Sequence, residues 1–140
     1  MSVISPKVLV GCPISDYHLY CLDEYLGGLK SLNYRNFEVL LVDNSKDVAY
    51  SQILKDKGFN VIKMHYLGGA RDRIVNSRNK LRQYVLDNGF DYLLSMEADI
   101  VPPFDIIDRL LLANKDIVSG VYFNNLEKDG RIQTLMTLWV

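Results

Sequence analysis

Long apolar runs, charge of one sign and a cysteine framework are all missing from this sequence, and each absence removes a class of protein. No stretch approaches the roughly 20 apolar residues of a membrane span, and the apolar run within Met1 to Val10 is too short for a signal peptide. The location expected is therefore cytoplasmic, with peripheral attachment to a membrane compatible. The formal net charge of -1 gives no global reason to expect nucleic acid, so anion binding would have to come from a local cluster of arginines. Cys12 and Cys21 are the only cysteines; without metal-ligand spacing or a third partner they read as reduced packing residues. No Ser-His-Asp arrangement, zinc ligand set or Walker phosphate loop is present. With 4 Pro and 9 Gly, and with neither low-complexity stretch nor internal repeat, nothing interrupts the chain. What remains is 140 residues, 49% hydrophobic and 24% charged, which fits one globular domain over 1–140 with a sizeable core.

Short apolar runs recur, each closed by loop residues. Lys7 to Gly11 ends at Cys12-Pro13, and Phe37 to Val42 ends at Asp43-Asn44-Ser45. Phe59 to Met64, Asp91 to Ser95 and Asp116 to Phe123 repeat the pattern, and Arg131 to Val140 is again strand-like. Helix-compatible segments lie between them, at about Asp16 to Leu32, Lys46 to Lys57, Arg71 to Asn88 and Phe104 to Ala113. Strands alternating with helices predict a three-layer α/β/α fold around a mostly parallel sheet. Ligands in such open sheets gather at the C-terminal strand ends.

One of those ends carries two carboxylates a single residue apart, Glu97 and Asp99, after the apolar run from Leu93. A pair at i and i+2 can supply one direct and one indirect oxygen ligand to a Mg²⁺ or Mn²⁺ bound to phosphates. It can equally face water and cap the helix that follows Pro103. Asp43 ends another run; its carboxylate can accept a hydrogen bond from a nucleobase, or Asp43 or Ser45 can cap the next helix. On the helix from Arg71, a wheel at 100° per residue places Ile74, Val75, Leu81, Val85 and Leu86 on one arc. Arg71, Arg78 and Arg82 fall within that arc, so three guanidinium groups are expected to point inward, toward protein carboxylates or a ligand's phosphates. Gly68-Gly69-Ala70 just before this helix could bring backbone N–H groups close to an anion. His65 and Tyr66 end the third strand and could line the same edge, while Tyr17, Tyr20 and Tyr25 follow the first helix and read as packing residues.

With these residues in view, the chain resembles the glycosyltransferases of the GT-A fold, in particular the large inverting, family 2-like group that uses nucleotide-activated sugars. Leu40-Leu41-Val42-Asp43-Asn44-Ser45 is similar to that family's strand-end acid motif, whose first Asp contacts the nucleobase. Ser77-Arg78-Asn79-Lys80 resembles its Ala-Arg-Asn segment, and Glu97-Ala98-Asp99 stands where the family has Asp-x-Asp, with Glu97 in place of the commoner Asp. Ile117 to Phe123 looks like the strand that follows, near the sugar. The order and spacing of the four motifs carry the resemblance, which spans most of the chain.

The resemblance implies a GT-A, Rossmann-like nucleotide-diphospho-sugar transferase fold and a metal-dependent transfer of a hexosyl group to an acceptor hydroxyl. It implies nucleotide-sugar binding by Pro13, Asp43, Arg71, Arg78 and Glu97, and ligation of Mn²⁺ or Mg²⁺ by Asp99 and Glu97. The implied partners are a UDP- or GDP-sugar donor and a glycan, lipid or protein acceptor; a homo-oligomer is compatible and nucleic acid is not expected. Residues 100–140 are shorter than the family's C-terminal part, which carries the acceptor site and catalytic base, so the acceptor part is expected to be short or missing. No residue is assigned as the base; Glu127 and Asp129 are read as lying in a polar loop. Two alternatives remain open: a non-catalytic nucleotide-sugar-binding module, and a sugar-phosphate nucleotidyltransferase, whose Gly-rich loop would belong after the first strand, where Cys12-Pro13-Ile14 stands.

Overall fold

The run VLVGCPI forms strand β1 (Val8–Ile14), buried at every residue. A computed structural model describes residues 5–137, divided between two compact units, Met1–Ile106 and Ile107–Val140. In the first unit β1 pairs in parallel with β2 (Phe37–Asp43) and β4 (Tyr92–Ser95), and β3 (Asn60–Lys63) pairs in parallel with β2. The strand order is β3-β2-β1-β4. Parallel neighbours need crossovers, and α1 (Leu22–Lys30), α2 (Ala49–Asp56) and α3 (Ala70–Asp87) supply them. The chain builds outward from β1 to β3 and then returns to place β4 on the other side of β1, which puts a topological switch point between β1 and β4. The expected α/β fold with a parallel central sheet flanked by helices is the fold observed.

β1 runs further than the sequence suggests, through Cys12 and Pro13 to Ile14. Proline is tolerated in this central strand for a reason of register. β4 pairs only as far as Gly11, whose carbonyl accepts Met96 N–H at 2.9 Å, whereas the Ile14 carbonyl turns to β2 and accepts Asn44 N–H at 3.0 Å. Alternation directs the missing N–H of Pro13 to the side where β4 has already ended. Gly11 sits in close approach: a Cβ there would lie 2.8 Å from Leu81 Cδ2 and 3.1 Å from Leu93 Cδ1, so these side chains would have to shift. Gly11→Ala should therefore destabilise the protein by about 1 to 2 kcal/mol through overpacking. That penalty should largely vanish in a Leu81→Ala background when both pairs are compared by urea denaturation; additive costs would show that no clash exists.

Burial follows local periodicity in α1, where Leu22, Tyr25, Leu26 and Leu29 repeat at helical spacing and are all buried. The segment expected to begin that helix, Asp16–Cys21, is instead a 3₁₀ turn with no buried residue. Tyr17 and Tyr20, read as packing residues, lie there exposed, and of the three only Tyr25 is in the core. α3 also departs from expectation. Ser77 and Leu81 are buried, and Tyr84 and Val85 pack partly against the cluster of Leu9, Leu40, Val42 and Phe90. Ile74, Val75 and Leu86 are exposed, as are Arg71 and Arg82, so only Arg78 of the three arginines points inward, and it is half-buried. A helical wheel fixes the phase of an apolar arc, but its buried width is set by the sheet beneath. β4 is the edge of that sheet, which also leaves Tyr92 and Leu93 exposed where a buried strand was expected.

The second unit holds most of α4 (Ile106–Leu112) and an antiparallel pair, β5 (Tyr122–Lys128) and β6 (Arg131–Thr137). The strand expected from Asp116 starts only at Tyr122. Ile117, Val118 and Val121 have β propensity yet are exposed, because a strand exists through a paired neighbour and here the pairing begins where β6 supplies it. Glu127, expected in a loop, sits in β5, and Asp129-Gly130 makes the tight turn with φ of 53° and 71°, the Asp-Gly signature of a two-residue hairpin. Of the expected last strand, Leu138, Trp139 and Val140 lie outside the described residues.

Candidate functional site

The C-terminal ends of β1, β2, β3 and β4 and the adjoining face of α3 bring together most of the residues singled out from the sequence. After β4 the chain turns, with Ile100 N–H on the Glu97 carbonyl at 3.4 Å; Met96 and Ala98 are buried, while Glu97 and Asp99 are exposed. Both carboxylates of the i, i+2 pair are thus open to solvent at this turn. Across from them the Arg78 guanidinium donates to the Ser95 hydroxyl and to the Glu97 carboxylate, with which it forms an ion pair. Asp99 has no hydrogen bond or ion pair among the described residues. One acid is held by an arginine, and its neighbour is open.

Asp43 has a different environment. Its side chain is fully buried; Oδ1 accepts Ser45 N–H at 2.8 Å, Oδ2 accepts the Ser51 hydroxyl at 2.5 Å, and Lys63 Nζ lies 3.6 Å from Oδ2. Lys63 also donates to the Ser45 carbonyl. Neither Asp43 nor Ser45 caps α2: Asp47 accepts Ala49 N–H at 2.9 Å, and the Ser45 hydroxyl accepts Asp16 N–H at 2.9 Å. Asn44 donates to the Ser77 hydroxyl at 3.1 Å, linking the β2 end to α3. Pro13 is buried in β1. Lys63 and Ser51 were not picked out from the sequence. For Lys63 a signal existed, a lone cation at the end of an apolar strand, but its partner became visible only once β3 was paired beside β2.

At the start of α3, Asp72 Oδ2 lies 2.9 Å from where a Gly69 Cβ would stand. The helix N-terminus expected to attract an anion therefore already has a carboxylate beside it. Arg73, expected on the solvated side, donates to the carbonyls of Leu67 at 2.7 Å and Gly68 at 3.0 Å and lies 5.0 Å from the Tyr66 ring centroid. It fixes the glycine loop. His65 is exposed, and His18 Nδ1 is 3.5 Å from the Ser15 hydroxyl. No three His, Cys, Asp or Glu side chains among the described residues converge as a cage for a metal ion. No helix among them is long and apolar enough to cross a membrane.

Beneath the edge lie buried titratable groups. Burial pushes the Cys12 thiol up to about 12, with a further upward contribution from the charge of Glu97. Burial likewise raises Tyr25, next to Cys12, and Tyr50, near Asp43, above their ordinary value of 10.0. All three stay protonated in the native state while the unfolded chain ionises, so the unfolded state binds fewer protons in this range. Stability should be fully present below about pH 9 and fall as pH rises toward the native values, at ~1.4 kcal/mol per pH unit for each such group. Urea denaturation at pH 8 and pH 10.5 checks this; equal stability at the two would refute it.

No protein-family model matches the sequence, and no curated protein does. Among solved structures, the crystal structure of S. aureus TarS 1-349 is similar, with a TM-score of 0.54 and 19% identity, over 76% of this chain and 31% of that one. At that identity the likeness is one of fold, and the chain spans less than a third of the TarS chain.

Proposed function

We propose that this chain is the donor-binding part of a glycosyltransferase that transfers a sugar from a nucleoside-diphosphate sugar to an acceptor hydroxyl. The observation that carries the reading is the open Asp99 carboxylate beside the Arg78–Glu97 ion pair, at the switch point of a parallel sheet. A diphosphate needs cationic groups, and this edge offers an arginine and a hard oxygen donor side by side. TarS, a glycosyltransferase of the same fold, supports the reading.

The residues fit a divalent cation of one kind. With a single free carboxylate and a second engaged by arginine, they suit Mg²⁺ or Mn²⁺ that keeps several waters and takes phosphate oxygens, not an all-protein cage. Asp99 would hold such an ion and Glu97 would be its second, weaker candidate. The bound ion would offset charge developing on the departing diphosphate. Arg78 orients Glu97 and adds positive charge at the same place, while exposed Arg71 is free to reach toward phosphate oxygens. The Asp43 network shapes the β2 end against which a nucleobase would rest; with both oxygens engaged internally, a base would meet the adjoining backbone more readily than the carboxylate.

A panel of UDP-, GDP- and TDP-sugars, screened for thermal stabilisation with and without Mn²⁺, tests the reading. Binding at 100 times the dissociation constant adds about 2.7 kcal/mol of stability, so at least one donor should raise Tm by several degrees in the presence of Mn²⁺. No shift with any donor would remove the proposal.

A further inference from the structure

The 3₁₀ turn Asp16–Cys21 exposes aromatic surface that neither the core nor the proposed donor site uses. Tyr17 is 79% exposed and Tyr20 71%. The two rings meet edge to face with centroids 6.4 Å apart, and Tyr17 meets the His18 ring the same way at 5.6 Å. In each contact the edge of one ring meets a face of the other, which orients the rings while most of each tyrosine stays exposed. The turn is anchored at both ends, by Asp16 N–H on the Ser45 hydroxyl at 2.9 Å and by the Cys21 thiol on the Ala98 carbonyl at 3.5 Å. It therefore bridges the ends of β2 and β4 as a fixed mount.

Two adjacent exposed rings offer a surface for stacking, and the surrounding chemistry selects the occupant. Between Asp16 and Glu24 there is no lysine or arginine, Asp16 and Glu24 are acidic, and Lys57, the cation brought to Asp23, is engaged by it at 2.7 Å, which opposes an anionic lipid surface. The polar side chain open at the start of the turn is the acceptor-only carboxylate of Asp16, to which a hydroxyl can rotate to donate, whereas a nucleobase edge presents donors and acceptors at fixed positions. A pyranose satisfies both features: the C–H groups of one face lie against an aromatic ring, and its hydroxyls donate to a carboxylate.

We infer that Tyr17 and Tyr20 form a stacking platform for a pyranose ring of a carbohydrate acceptor, with Asp16 accepting its hydroxyls. That the sugar is the acceptor rests on the transferase reading; that the platform binds carbohydrate does not. Saturation-transfer NMR with maltohexaose, chitopentaose and xylohexaose, on the full chain without donor or metal, tests it directly. At least one oligosaccharide should bind, and Tyr17→Ala and Tyr20→Ala should each weaken it by about tenfold, with Tyr20→Phe retaining most of the affinity. UDP and GDP binding in Mn²⁺ should be unchanged in these variants. The proposal is overturned if none of the three oligosaccharides binds at about 10 mM, or if binding is indifferent to both alanine substitutions. Loss of UDP and GDP binding in place of sugar binding would reassign the rings to the nucleobase. Tyrosine-dependent binding to phosphatidylcholine vesicles without any sugar contact would reassign them to a membrane. Oligosaccharide binding without binding of any nucleotide would leave this inference standing and remove the donor reading alone.

Discussion

Asp99→Ala is expected to abolish the Mn²⁺-dependent part of nucleotide-sugar binding while leaving the fold intact. The carboxylate is exposed and makes no internal hydrogen bond or ion pair among the described residues, so stability should change by less than about 0.5 kcal/mol. Loss of even an outer-shell partner costs about 10- to 100-fold in metal affinity, so loss of the principal ligand should cost more. Glu97→Gln should cost less than Asp99→Ala, because its carboxylate is already engaged by Arg78. Titration of the best-stabilising donor against each variant, with and without Mn²⁺, measures the difference. Unchanged affinity in Asp99→Ala for every donor would sink the assignment of the acid pair to a cation.

Asp43→Ala should produce the largest loss of stability. The substitution takes the acceptor from Ser45 N–H, from the Ser51 hydroxyl and from Lys63 in one step, at a residue with no exposure. Breaking a buried ion pair costs about 3 to 5 kcal/mol. The lower end applies here because the Lys63 side chain is 23% exposed and can regain some water. Asp43→Asn keeps one oxygen as an acceptor and should lose about 1 to 2 kcal/mol, which preserves a measurable variant if the alanine form does not fold. Urea midpoints for the two variants give the result, and a loss below about 0.5 kcal/mol in both would show that the network contributes nothing to the fold. Nucleotide affinity in Asp43→Asn, measured where the protein remains folded, would reveal any direct contact to a base as a separate loss.

The four strands of the main sheet and its crossover helices were legible because their signals are local. Apolar runs such as VLVG and EVLLV, closed by loop residues, need no distant partner to be recognised. The acids at Glu97 and Asp99 were legible as a local pair closing an apolar run, while the turn that exposes both came only with the structure. The run from Asp116 misled for a reason that is equally physical. Its valines and isoleucine suit a strand, but the partner that would make it one is not encoded in the run itself. Asp129-Gly130 shows the converse, a turn signal strong enough to set a hairpin between β5 and β6.

By itself, then, the sequence determined the order of strands and helices and the parallel sheet they imply, which depend on residue periods of two or 3.6, and the place of the acid pair after a strand. Only the tertiary structure decided which charged groups meet. Asp43 and Lys63 become partners through the pairing of β2 with β3, and Arg78 and Glu97 through the packing of α3 beside β4. Register and the width of the sheet under a helix set those distances, and they selected Arg78, not Arg71 or Arg82, to face the acids while leaving Asp99 open.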